Sequence, residues 1–214
     1  MDYNKYFEAI GYKYIKKYHK LIVEDFQRHV FPGQPDEVDG IVGDKTTAKI
    51  LFYNSKTFCP EVFEPIKPYV DYNDVEIEAL MQPNLIGLGA VFNRCAKDND
   101  FDVLHSIAHS VLEASEKGKW ANSYIARTKK NIYGWAAFDS SPVSSANKFK
   151  SFAECIEKWS KWFNKEYLSP GGDWYNGNNE HGVNVRYASS PIAGVNKSFQ
   201  VRYLRNKLQK AIKH

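Results

Sequence analysis

Apolar residues recur three and four positions apart in several stretches of this chain, the mark of helices with one buried face. Val23, Phe26 and Val30 share a face of segment 22–30. Leu85–Ala96 and Val103–Ser115 are apolar enough to pack inside a core. Cys155, Ile156, Trp159, Trp162 and Phe163 predict an amphipathic helix over 151–167, and Val201, Leu204, Leu208 and Ile212 predict another further on. Segments 134–147 and 169–182, rich in Gly, Asn, Ser and Pro, read as loops with room for a short β-hairpin. On a helical wheel Val103, Leu104, Ile107, Ala108, Val111 and Leu112 cover one half of their helix. Asp102, His105, Ser106, His109, Ser110 and Glu113 take the other, which predicts a solvated face. The fold class expected is mainly α.

Prolines suggest a division. Pro60, Pro65 and Pro68 stand close together in 56–72, where a regular helix is improbable. The organisation expected is a small helical module over 1–54, a connector over 55–80 and a larger domain over 81–214. Charge follows the same division. Residues 1–54 carry 8 basic and 8 acidic side chains, residues 55–100 carry 4 and 8, and residues 101–214 carry 17 and 9. The total of +4 therefore conceals a basic second half, suited to a polyanionic partner.

Composition narrows the classes. Aromatics make up 15% of the 214 residues, with Tyr 14, Phe 13 and Trp 5, which excludes a largely disordered chain. The N-terminal stretch is charged throughout, so no secretory signal peptide is expected, and no apolar run is long enough to cross a membrane. Cys59, Cys95 and Cys155 are odd in number and far apart, which argues against a disulfide framework or a zinc site. His105 and His109 have the spacing of a helical zinc pair, but H-S-I-A-H lacks the metalloprotease glutamate. No metal and no cofactor is expected. Without an Arg-rich stripe or a recognition motif, nucleic acid is not an expected partner.

Two motif groups carry chemistry. In 36–51, DEVDGIVGDKTTAKIL, Gly40 and Gly43 permit tight turns, and Asp44 or Thr46 suits the N-cap of a helix through Leu51. Together with Phe26 and Gln27, residues Asp39, Gly40, Gly43 and Thr46 make this region resemble the three-helix peptidoglycan-binding module of many cell-wall hydrolases. In the second half, Leu112-Glu113, Trp120, Ser123, Ile125-Ala126, Asn131, Tyr133-Gly134, Phe138-Asp139-Ser140, Pro142 and Tyr187-Ala188 follow one another in order. That series resembles the glucosaminidases of glycoside hydrolase family 73. Departures are Ala114-Ser115 where Ser/Thr-Gly is usual, Ala121 in place of a Gly after Trp120, and Lys130 before Asn131.

The second resemblance implies a lysozyme-like α+β domain that cuts the β-1,4 bond after N-acetylglucosamine in bacterial peptidoglycan. Glu113 is expected as general acid, near the C-terminal end of its helix, where the dipole favours a protonated carboxyl. Tyr187 would sit near the scissile sugar. Asp139 is the first candidate for a second carboxylate and Glu116 the runner-up, while a substrate-assisted route needs neither. Expected substrate contacts are Trp120, Ser123, Asn131, Tyr133, Gly134, Trp135 and Trp174, the aromatics as platforms for sugar rings. Trp159 and Trp162 are expected in the core. A monomeric bacteriophage endolysin, made in the cytoplasm and released through a holin pore, fits these expectations. A muramidase, a lytic transglycosylase or a non-catalytic wall-binding protein are the alternatives.

Overall fold

The computed structural model describes residues 3–9, 12, 16–57, 65–137, 140–188 and 191–212, and these are mainly helical. In chain order the helices are α1 (Tyr3–Ala9), α2 (His19–Val30), α3 (Asp44–Thr57), α4 (Asp74–Glu78), α5 (Gly89–Asp98) and α6 (Val103–Ala114). After them come α7 (Tyr124–Lys129), α8 (Pro142–Ser145), α9 (Phe152–Phe163), α10 (Glu180–Tyr187) and α11 (Pro191–Ile212). The expected hairpin is absent among the described residues, where pairing is limited to two isolated bridges, Pro65 with Asn179 and Glu116 with Lys119.

The chain forms two compact units. One comprises 1–64 and 184–198, the other 65–183 and 199–214. Both α10 and α11 therefore contribute to each unit. Residues 65–80, read from sequence as connector, lie within the second unit: Ile66 and Ile77 are fully buried, and α4 opens with a capping box between Asn73 and Glu76.

In the first unit Phe7, Tyr12 and Phe26 meet edge to face, with Phe7 ring centroids 5.7 Å and 5.6 Å from the other two. Beside this cluster Gln27, 1% exposed, works as a lock. Its amide nitrogen donates to Asp39 Oδ1 (2.8 Å), the Ile41 carbonyl (2.9 Å) and Thr46 Oγ1 (3.1 Å). Its oxygen accepts from the backbone N–H groups of Asp39 (3.1 Å) and Gly40 (2.8 Å). Gly40 has φ +72°, and a Cβ there would come within 2.5 Å of the Lys20 side chain, so the turn requires glycine. The hydrogen bonds of Asp39, from the Ile41 N–H first and Gln27 second, hold its carboxyl below the usual carboxylate range.

The second unit is built around α6. Asp102 caps it, with Oδ1 accepting from the Leu104 N–H at 2.9 Å. The other oxygen accepts from Arg205 Nε at 2.7 Å, and Arg205 also donates to Glu180 Oε1 (2.7 Å) and to the Pro65 carbonyl (3.0 Å). Asp102, Glu180 and Arg205 are all buried. One guanidinium thus bridges two buried carboxylates and ties residue 65, α6, α10 and α11 together.

The predicted solvated face of α6 is not solvated. His105, Ser106, His109 and Ser110 are all buried, because the aromatic face of α9 and Tyr133 cover them. His105 lies parallel to Phe163 (centroids 5.6 Å apart), His109 is 5.6 Å from Trp159, and Ser106 Oγ is 2.8 Å from the Tyr133 hydroxyl. Burial, with Arg205 nearby, pushes His105 well below its ordinary value, so it is neutral in the folded protein. After α9 the chain continues as a π-helical turn, Asn164–Leu168, which seats Tyr167 beside Trp162, 5.2 Å between centroids.

Candidate active site

Glu113 occupies the last turn of α6, one residue before the helix ends at Ala114. The carbonyl of Ala114 accepts from the N–H groups of both Asn122 (3.0 Å) and Ser123 (2.9 Å), so the chain returns to the helix end immediately. Between them Glu116 and Lys119 exchange backbone hydrogen bonds at 3.1 Å around Lys117-Gly118, both in the left-handed region. This turn follows directly on the end of the helix that carries Glu113.

The two oxygens of Glu113 have different surroundings. Oε1 is buried and lies 3.8 Å from His109 Nε2, one helical turn back. Oε2 faces the backbone at Gly134: a Cβ on that residue, whose φ is +64°, would stand 3.1 Å from it. The glycine is needed here for conformation and for space alike. As a whole the side chain is 19% exposed. A carboxyl with one oxygen enclosed and the side chain still partly exposed has the form a proton donor requires.

Asn131 makes that loop. Its amide nitrogen donates to the carbonyls of Trp135 (2.9 Å) and Asn147 (3.1 Å), while its oxygen accepts from the N–H groups of Tyr133 (3.3 Å) and Trp135 (3.1 Å). Buried at 1% exposure, it shapes the turn that carries Gly134 and has no face to offer a sugar. Tyr133 is equally occupied. Fully buried, it stacks on Trp159 at 3.8 Å with the planes 5° apart. Trp120, 2% exposed, packs near Phe92, and its backbone is held by Gln82 and Asn84. Ser123 caps α7, its hydroxyl accepting from the Ala126 N–H at 3.3 Å. Asn131, Tyr133 and Trp120 are thus interior, while Ser123 is half-buried with its hydroxyl taken by the cap.

Two of the expected platforms retain surface. Trp135 is half-buried between Phe149 and Trp162, whose centroids lie 5.8 Å and 4.8 Å away. Trp174, 47% exposed, lies parallel to Tyr167 at 6.4 Å. Trp162 and Tyr167 complete the row between them; Trp159 is core as expected, whereas Trp162 is only half-buried. Asp139 falls outside the described residues. Glu116 pairs with Arg127 at 3.3 Å. Tyr187 ends α10 in the first unit, with the Lys197 ammonium 5.0 Å from its ring centre. Among the described residues no three His, Cys, Asp or Glu side chains gather as metal ligands would.

Sequence reasoning missed His109 as a neighbour of Glu113. The four-residue spacing that pairs His109 with His105 pairs it equally with Glu113, and in the folded helix the second pairing reaches the carboxylate.

No family model matches this chain. Two proteins of Streptococcus pneumoniae, from a serotype 4 strain and from strain R6, each bear the name "Putative endo-beta-N-acetylglucosaminidase". Each is 29% identical to this chain over 201 residues, 90% of its length. The chain spans only 29% and 27% of those two proteins. The likeness of this chain to those two proteins is distant and covers one part of each.

Proposed function

We propose that this chain hydrolyses the β-1,4 bond after N-acetylglucosamine within the glycan strands of bacterial peptidoglycan, with Glu113 as general acid. The observation that carries the reading is the Glu113 carboxyl at the end of a buried helix. One oxygen is enclosed, and the other lies under a glycine that makes room for it. Glu113 donates its proton to the glycosidic oxygen as the C–O bond breaks, the sugar left behind carries oxocarbenium character, and water adds to its anomeric carbon with release of a proton. Glu116 is turned to Arg127 and is given no part in that step. The exposed Trp174 and half-buried Trp135 are the platforms for neighbouring sugars, and the basic second half attracts anionic wall polymers. In the same reading the protein is a bacteriophage lysin that acts on the host wall as a monomer, its first unit contributing wall affinity.

Digestion of purified peptidoglycan, borohydride reduction and mass spectrometry test this. Reduced glucosamine ends are expected. Reduced muramic acid would reassign the chain as a muramidase, and anhydro-sugar ends as a lytic transglycosylase. Glu113→Gln is expected to lower the rate by roughly 10²–10⁴-fold with the thermal midpoint unchanged. Full activity in that variant would remove Glu113 from the mechanism.

A further inference from the structure

We infer that His109 is the positioning residue of the general acid: it holds Oε1 of Glu113 inside the protein and so determines that the transferable proton sits on Oε2. The inference rests on the assignment of Glu113 made above and adds a second residue to it.

The geometry is specific. His109 lies one turn below Glu113 on α6, with Nε2 3.8 Å from Oε1. Its ring is fully buried and closed in by Trp159 at 5.6 Å, His105 at 5.9 Å and Tyr133 at 6.3 Å. A ring packed among three others cannot swing away, so Nε2 presents a fixed polar atom to the carboxyl. Oε1 is itself buried, while Oε2 lies on the Gly134 side.

A carboxylic acid has two oxygens and one proton, and only a proton on the accessible oxygen can reach a glycosidic bond. An Nε2–H facing Oε1 makes that oxygen an acceptor and leaves the proton to Oε2. At 3.8 Å the contact is longer than a hydrogen bond. Hydrogen bonds at catalytic groups often close only when substrate is bound. During the reaction the proton moves from Oε2 to the leaving oxygen and the C–O bond breaks. The new negative charge is shared between both oxygens, one of them facing the imidazole N–H. Of the rings described around His109, His105 is neutral, with Arg205 beyond it, and the Tyr133 hydroxyl is engaged with Ser106, its ionisation suppressed by burial.

The test uses the full chain and purified peptidoglycan, with kcat, KM and thermal midpoint measured for His109→Leu, His109→Gln and His109→Asn. Gln places an amide N–H close to the position of Nε2, Asn does not reach it, and Leu keeps bulk without a donor. His109→Leu is expected to lose roughly tenfold to a hundredfold in kcat with KM unchanged. His109→Gln is expected to recover most of that loss. Wild-type kcat in a folded His109→Leu protein overturns the inference, and so does an equal loss in Gln and Leu, which would signal packing alone. Should Leu fail to fold, the Gln and Asn proteins decide, since equal kcat in those two also overturns it. Glu113→Gln is measured in parallel. Activity retained there defeats the general-acid reading itself; its loss there, beside full activity in His109→Leu, defeats only the role of His109.

Discussion

Gln27 and Glu113 occupy matching positions in the two units. Each is a polar residue on a helix of its unit's core, each belongs to a sequence motif, and each is met by a turn whose glycine has positive φ, Gly40 at +72° and Gly134 at +64°. What the turn presents differs. At Gln27 the backbone N–H groups of Asp39 and Gly40 reach the side-chain oxygen, and the amide nitrogen faces three acceptors. At Glu113 the turn approaches with the α-carbon of Gly134, which donates no proton to the oxygen it faces. The first arrangement spends a motif on holding the fold. The second limits the space beside a carboxyl. Motif residues of similar spacing thus divide by the atom that meets them.

Breaking the lock should be the larger injury to stability. Gln27→Leu would leave the buried Gly40 N–H and the Thr46 hydroxyl without their partner, and we expect a loss of about 2–4 kcal/mol in denaturant unfolding of the first unit. A loss below measurement error would mean that the network contributes nothing. Gly134→Ala sharpens the other half of the comparison. Left-handed backbone with a Cβ costs about 1–2 kcal/mol, and the new methyl crowds Oε2, so kcat should fall more steeply than stability. A stability loss with unchanged kcat would show that the turn does not shape the acid's surroundings. The last effect concerns pH. His105 stays neutral in the folded protein, whereas the unfolded chain takes up a proton below the ordinary histidine value of 6.5. Stability should therefore fall as pH drops below that value, by up to about 1.4 kcal/mol per pH unit. His105→Phe should flatten that slope, as read by thermal melts between pH 7 and 5, taken at about half-unit steps.

Much of the helical framework was legible in the sequence: periodic apolar residues mark α2, which starts three residues earlier, α6 to within one residue, and α9, which ends at Phe163 with a π-helical turn beyond it. Where the reading slipped, a tertiary partner had intervened. The helix expected from Leu85 starts at Gly89, because Glu78 takes the N–H groups of Gly87 (2.6 Å) and Gly89 (2.7 Å). The polar half of α6 is buried because α9 offers it rings, and a helical wheel shows only one helix. At the candidate site the motif pointed to the stretch around Glu113 and gave less on the division of labour within it. Asn131 and Tyr133 lie in the loop beside Glu113, yet they build that loop from inside. No local pattern announces that residues 184–198 pack with 1–64, because such pairing depends on side chains more than a hundred positions apart.

The Arg205 cluster also bears on synthesis. Asp102 and Glu180 are acidic groups enclosed in one interior, and their shared counter-charge is made last. A growing polypeptide that has passed Glu180 but not yet Arg205 holds two like charges that must stay hydrated. The ion pairs behind the first turn of the Glu113 helix therefore form only after translation has passed residue 205.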